Sequence, residues 1–275
     1  MKMDFWDKIA RDLSLKYSQV DNSFSVERYR MQLALEILKE YSLTDSLLDI
    51  GCGSGEFLAL CDFVDNRLGI DFSEKMITIA GEKYPHIPFK KTSIEDFTSE
   101  VKYSAIIAFS VLPYIRDDIP VYSKIYGMLK DNGLFICTYP NILFNMFTDN
   151  ELTYDFMNKV FYNYLYNDIL RKTELEKVDV KEKAVYPEGS ARGKIFFREE
   201  NPLEIGTKLF SLGFNVIRII YLNIHPLKPK NMKKFNINVS HGLYKDVQIK
   251  LKEDWRSTFL ASTFMVVAAK ISKTQ

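Results

Sequence analysis

Apolar positions along the chain repeat with two periods. Met31, Ala34, Leu35 and Leu38 stand at i, i+3, i+4 and i+7, which predicts one amphipathic helical face. "LLDI" 47–50 then reads as a short buried strand, and behind a glycine-rich loop Phe57, Leu60, Cys61 and Val64 return to the helical spacing. From there short apolar runs at 67–70, 104–109 and 133–138 alternate with helical patterns from about Ser73 and near 119–130. Asn201 as a cap, Pro202 at the first helical position and Gly213 just past the last turn predict a further helix. The runs 215–221 and 263–269 complete a set of seven strands. Strand and helix in alternation imply right-handed crossovers, so the expected class is α/β, with a mostly parallel, doubly wound sheet.

Two segments stand outside the alternation, and they set the expected layout. Residues 1–45 read as a helical lid, 46–141 as the ligand-binding core, 142–195 as an insertion that covers the site, and 196–275 as the remainder of the core. A chain of 275 residues, 47% hydrophobic and 27% charged, suits one elaborated globular domain and excludes disordered or fibrous classes. Lys+Arg of 37 against Asp+Glu of 36 shows none of the basic excess of a nucleic-acid binder, so nucleic acid is not the expected partner. No run approaches the roughly 20 apolar residues of a membrane span, and "MKMDFWDKIARDL" lacks the apolar stretch of a secretory signal. Cys52, Cys61 and Cys137 form no C-x-x-C pair, and their odd number suits a reducing compartment. Cys52 and Cys137 are expected to be buried small hydrophobes. The expected location is soluble and cytoplasmic.

The loop in "SLLDIGCGSGEF" 46–57 carries the chemistry. A phosphate loop of the Walker type needs a lysine and a hydroxyl after its last glycine, and neither follows Gly55. The dinucleotide fingerprint G-x-G-x-x-G would put its third glycine where Glu56 stands, and an acid at a helix amino end repels pyrophosphate. What remains is a ligand that is not a phosphate and brings positive charge of its own. Asp49, at the end of the strand, and Asp71 in "LGIDFS", twenty-two residues later, are the acids available to it. Two oxygens on Asp71 could accept from both hydroxyls of a ribose. A plain tight turn and a helix cap are the functionless alternatives.

This pattern resembles motif I of the class I S-adenosylmethionine-dependent methyltransferases, closely over about residues 45–141 and by element order elsewhere. The resemblance implies that Asp49, Gly51, Cys52, Gly53 and Gly55 cradle the methionine portion of the cofactor and that Asp71 takes the ribose. It further implies Phe72 beside the adenine, Met76 packing nearby, and Phe109 at the exit of the fourth strand. Ser93, with Ile94 and Glu95, aligns where the family often has an aspartate for adenine. The product would be S-adenosylhomocysteine. No histidine and carboxylate pair has metal-ligand spacing, so no metal is expected.

The acceptor side is less legible. Tyr114, Tyr139, Asn141 and His225 lie at carboxyl ends of predicted strands and are the candidates for catalysis; His86 reads as a surface residue and His241 as part of an irregular region. Tyr17 and Arg192 come from the lid and the insertion, and Lys228 opens "KPKNMKK" 228–234; with Lys194 and Arg198 these could attract an anionic acceptor, or simply be solvated. "SVLPY" 110–114 has two residues between Ser110 and Pro113 where the motif of amino-methylating nucleic-acid and protein enzymes has one. The expected reaction is therefore methyl transfer to an oxygen or nitrogen of a small polar metabolite, phosphorylated or a sugar nucleotide of the bacterial surface-polysaccharide kind. The alternatives are a protein or nucleic-acid methyltransferase, a cofactor-binding partner subunit without catalysis, and an NAD-dependent dehydrogenase.

Overall fold

The structure is a computed structural model that describes residues 6, 7, 10, 14, 25–148, 153, 196–226, 228 and 241–271. Its elements run α1 (Val26–Glu40), β1 (Ser46–Ile50), α2 (Glu56–Leu60), β2 (Asn66–Asp71), α3 (Glu74–Lys83), β3 (Phe89–Lys91), β4 (Tyr103–Ala108), α4 (Ile119–Met128) and β5 (Leu129–Pro140). After them come α5 (Asn145–Thr148), α6 (Ile205–Ser211), β6 (Phe214–Ile224), α7 (His241–Leu251), α8 (Ser257–Leu260) and β7 (Ala261–Lys270). The sheet has seven strands in the order β3-β2-β1-β4-β5-β7-β6. β7 runs antiparallel to both its neighbours, and the other pairings are parallel. The expected mostly parallel seven-stranded sheet is present, with that one reversed strand.

Alternation along each strand explains the two cores. Leu48, Ile106, Phe135 and Val266 point to one face, where Tyr122 and Ile125 of α4 and Leu209 of α6 cover them. Leu47, Ile107, Ile136 and Val267 point to the other, under Leu33, Ala34, Ile37 and Leu38 of α1 and Phe57 and Leu58 of α2. α1 is thus a layer of the core, its apolar face covering the sheet, whereas the lid was expected over 1–45; of the residues before α1 the structure describes only 6, 7, 10, 14 and 25. Ser25 caps it, accepting from the Arg28 N–H at 3.3 Å, with Glu27 in the first turn and Lys39 in the last to suit the helix dipole.

Other boundaries moved for local reasons. α2 stops at Leu60, because Cys61 leaves helical geometry and Val64 joins the core from the loop. α6 begins at Ile205; the Asn201 side chain accepts from Leu203 at 3.0 Å and holds a turn rather than a full helical start. β5 starts at Leu129, before the apolar run at 133–138, and carries an irregularity at Asn132, with φ 59. α7 was missed: His241 begins this helix, where an irregular segment was expected. Apart from residues 142–148 and 153, the insertion expected over 142–195 lies outside the described residues.

Candidate functional site

The strand order turns back between β1 and β4, and open α/β sheets bind ligands outside the carboxyl ends at such a switch. The glycine loop lies there. Gly51 and Gly55 have φ +70 and +85, conformations that strain residues bearing a Cβ. A Cβ on Gly51 would also come within 2.2 Å of Val111 Cγ2, and one on Gly55 within 2.7 Å of the Phe89 ring. The loop is tied to β2 by the N–H groups of Gly51 and Cys52, which donate to the Ile70 carbonyl at 2.7 and 3.0 Å. Cys52 and Cys137 are buried, as expected for small hydrophobes.

Two acids flank the loop. Asp49 is 3% exposed, shares the α1-facing side of β1 with Leu47, and makes no hydrogen bond among the described residues. Burial, then the charge of Asp71, pushes its carboxyl up to about 8, against a partial opposing pull from Arg30. Asp71 is buried too, but its oxygens accept from the N–H of Gly53 at 3.1 Å and of Ser73 at 2.9 Å. Burial still raises it, opposed by those donors. Asp71 therefore holds the loop in place, and each oxygen keeps a lone pair for a further donor. Glu56 begins α2, accepts from Ser54 Oγ at 2.7 Å and pairs with Lys83 at 2.8 Å, so the helix amino end is already supplied with an anion.

The residues aligned to adenine are placed differently from one another. Phe72 meets Trp6 edge-on at 6.5 Å, Trp6 meets Tyr114 at 5.2 Å, and Tyr114 meets Phe197 at 5.3 Å, forming an aromatic wall. Met76 and Ile94 are buried. Ser93 is committed locally: its hydroxyl donates to Asp96 at 2.8 Å and accepts from the Asp96 N–H, and Glu95 is exposed. Ile94 and Glu95 give their carbonyls to Lys124. Phe109 packs against Phe57 at 5.2 Å.

The candidates for catalysis divide. Tyr114 is half-buried in the aromatic wall, on the 3-10 turn Leu112–Tyr114 that follows β4. Tyr139 is a correction: it is fully buried, with its hydroxyl 2.6 Å from that of Tyr122 and accepting from the Cys137 thiol. Asn141 is likewise a core residue, 1% exposed, with its amide donating to the Thr258 and Ala261 carbonyls and its oxygen accepting from Leu143. Both side chains are closed off from a ligand by burial in the core. His225 stacks on Phe144 at 4.8 Å, its Nε2 is buried with no partner among the described residues, and burial lowers its pKa to about 4. It is neutral at physiological pH and a weak base. Tyr17, Arg192, Lys194 and most of "KPKNMKK" lie outside the described residues; Lys228 is half-buried.

Several site residues escaped the sequence reading. Arg30 reaches the site from α1, its guanidinium 4.7 Å from the Phe109 ring centre. The Asp7 carboxylate accepts from the Ser73 hydroxyl beside Asp71. The segment 196–200 is fixed by an ion network: Asp118 accepts from Arg198 at 2.6 Å and Lys208 at 2.7 Å, and Glu200 pairs with the same two cations at 2.9 and 2.8 Å. The Arg198 N–H also donates to the Pro113 carbonyl at 2.9 Å, which sets Phe197 beside Tyr114. A signal for Arg30 did exist. A helix that leads into the start of β1 has its own first turns near that strand's far end, so a cation there is placed at the ligand edge.

Comparison with known proteins agrees with this geometry. Residues 48–135 match the family described as a methyltransferase domain. An uncharacterized protein of Methanocaldococcus jannaschii is 30% identical over 149 residues, which is 50% of this chain and 51% of that protein. A trans-aconitate 2-methyltransferase of Acidovorax ebreus is 27% identical over 123 residues, 44% of this chain and 48% of that one. The chain thus spans about half the length of these curated relatives. Among solved structures, magnesium protoporphyrin IX methyltransferase of Synechocystis PCC 6803 with bound S-adenosylhomocysteine superposes with a TM-score of 0.56 at 12% identity, covering 98% of this chain and 97% of that one. The fold is that of the class I, S-adenosylmethionine-dependent methyltransferases. The matched residues 48–135 include the glycine loop, Asp49 and Asp71. Among the described residues no helix is long and apolar enough to cross a membrane, and no group of three or more His, Cys, Asp or Glu side chains could hold a metal ion.

Proposed function

We propose that the protein transfers a methyl group from S-adenosylmethionine to an oxygen or nitrogen of a small polar acceptor. The observation that carries the reading is the pair Asp49 and Asp71 on either side of a left-handed glycine loop at the switch point of the sheet. Asp49 faces the cofactor's ammonium, the loop leaves space for its methionine chain, and Asp71 accepts from its ribose. Phe72 lies beside the adenine, while Ile94 offers it a backbone N–H.

In the reaction the acceptor's lone pair forms the new bond to the methyl carbon as the carbon–sulfur bond breaks, and that bond's electron pair stays on sulfur as a thioether. The acceptor's proton leaves to solvent or to a nearby base. A sulfonium activates the methyl by itself, so alignment and exclusion of water are the protein's main contributions. The aromatic wall of Trp6, Phe72, Tyr114 and Phe197 serves both. Tyr114 is the hydroxyl best placed to meet an acceptor. An anionic acceptor, phosphorylated or carboxylated, is favoured by the basic segment that Lys228 opens, and the trans-aconitate enzyme among the relatives acts, by its name, on a carboxylate compound.

Calorimetric titration with S-adenosylhomocysteine tests the cofactor site: Asp71→Ala should weaken binding by about ten- to a hundred-fold. Unchanged affinity would remove Asp71 from the site. A rise in melting temperature with NAD and none with S-adenosylmethionine would overturn the whole reading. Screening metabolites for a cofactor-dependent gain of one methyl then identifies the acceptor.

A further inference from the structure

Resting on the cofactor reading above, we propose that Trp6 roofs the donor site and that the segment carrying Trp6, Asp7, Ala10 and Ser14 is a strap, latched by Asp7, which must lift for the cofactor to enter or leave. The strand order places β1 between β2 and β4. Phe72 directly follows β2, and Tyr114 stands on the turn after β4. The Trp6 ring meets the first at 6.5 Å and the second at 5.2 Å, edge-on in both cases. Two strand spacings amount to about 10 Å, so a ring that touches both exits lies across the outlet of β1. Asp49, the glycine loop and Asp71 are behind it.

The strap is held along α3. Asp7, Ala10 and Ser14 stand at i, i+3 and i+7, one face of a helix, and each described residue of the strap is helical. The Asp7 carboxylate accepts from the Ser73 hydroxyl and from the Lys75 N–H at 3.4 Å, at the amino end of α3, where the helix dipole favours an anion. Ser14 Oγ accepts from Lys83 at 2.7 Å in the last turn of the same helix, and Ala10 between them is fully buried. Lys83 also pairs with Glu56, so one cation joins the strap to the helix behind the glycine loop. Ser73 is the residue whose N–H holds Asp71, and Asp7 is among the charges that raise the Asp71 carboxyl. The latch is thus joined to the ribose acid through a single serine. These are side-chain contacts between surface layers, and they can part while β1 stays paired with β2 and β4. Because Trp6 also belongs to the aromatic wall, the acceptor's pocket is complete only while the strap is down. Donor exchange and acceptor binding then exclude each other in time.

Stopped-flow fluorescence with S-adenosylhomocysteine tests the strap, with calorimetry to confirm binding. The chain has two tryptophans, and Trp255 is 74% exposed just before α8, so Trp255→Phe leaves Trp6 as the reporter. In that background Asp7→Ala removes a charged latch and should raise the association and dissociation rates together by about ten- to a hundred-fold. Kd should move by about threefold or less, because the strap is shut in the ligand-free protein as well. Ser14→Ala should raise both rates by about threefold and serves if Asp7→Ala fails to fold. Unchanged rates in a folded variant overturn the proposal. So does a rise in dissociation alone with Kd following it, which would make Asp7 a support for Asp71 and not a latch. A Trp6 signal that ignores bound S-adenosylhomocysteine would place the ring away from the site, with the same result. No calorimetric binding of S-adenosylhomocysteine to the native protein is a different failure, that of the cofactor reading itself.

Discussion

Asp49 predicts an unusual pH dependence for cofactor binding. In the ligand-free protein burial holds its carboxyl up to about 8, and the charges that face it are Asp71 and Glu56, which raise it, and Arg30, which lowers it. An α-amino group titrates near 7.7–8.0. The bound pair, carboxylate against ammonium, contains one proton. Below pH 8 the free partners together hold close to two, so binding releases one; above pH 8 they hold fewer than one, so binding takes one up. Affinity should therefore peak near pH 8, with S-adenosylhomocysteine bound about twentyfold more weakly at pH 6 and about fourfold more weakly at pH 9.

Calorimetry in two buffers of different ionisation enthalpy measures the proton directly. Release approaching one at pH 6, uptake approaching one at pH 9 and a change of sign near pH 8 are the expected results. Asp49→Asn should abolish the release limb and keep the uptake limb, since the amino group still titrates. Asp71 is raised as well, so it is this substitution, rather than the curve alone, that assigns the proton. Flat affinity with no proton exchange between pH 6 and 7 would refute the argument. The folded pKa of Asp49 lies above its unfolded value, so its contribution to stability is present below about pH 4 and is lost as pH rises to about 8. Asp49→Asn should accordingly raise the melting temperature of the ligand-free protein at pH 8 more than at pH 5.

Three further outcomes follow from the same coordinates. Gly51→Ala should lower stability by about 2–4 kcal/mol through its φ of +70 and the clash with Val111, and adding Val111→Ala should recover only the steric part; urea unfolding that finds under 0.5 kcal/mol, roughly, would show that the loop rearranges freely. Asp118→Asn leaves Arg198 and Lys208 sharing Glu200 and should cost about 1.5–3 kcal/mol by the same assay, with a wild-type midpoint counting against the network. His225 has a folded pKa below its unfolded one, so stability should fall as pH drops from about 6.5 to about 4, and His225→Phe should flatten that limb of a pH–melting curve. An unaltered limb would place the titration elsewhere.

The sheet was legible because its evidence is local. Leu47, Leu48 and Ile50, Ala105 to Ala108 and Phe135 to Cys137 put apolar side chains on both faces, as strands covered by helices must, and the glycine spacing with Asp49 and Asp71 is carried by two short stretches of chain. What was not legible depends on distance in sequence. Tyr139 and Asn141 do stand near a carboxyl strand end, but Tyr122 and Cys137 claim one and the Thr258 and Ala261 carbonyls the other. Nothing in the spacing of β5 announces partners that lie 17 or 117 residues away. The Asn141 amide is satisfied by a short helix just before β7 that no pattern indicated.

The same contrast governs what each part of the site can do. Asp49, Asp71 and the glycine loop sit on two adjacent strands in register, Asp49 opposite Gly69, so their geometry is set by backbone hydrogen bonds. Each ring of the aromatic wall comes from a different stretch of chain: Trp6 before α1, Phe72 after β2, Tyr114 after β4 and Phe197 in the segment before α6. Their mutual placement rests on side-chain contacts, on the Asp7–Ser73 hydrogen bond, and on the ion network around Asp118. In the proposed function, a site wall assembled this way can change its acceptor by altering one segment without disturbing the donor site. The proposed donor is therefore readable from a motif, and the proposed acceptor only from contacts that join distant parts of the chain.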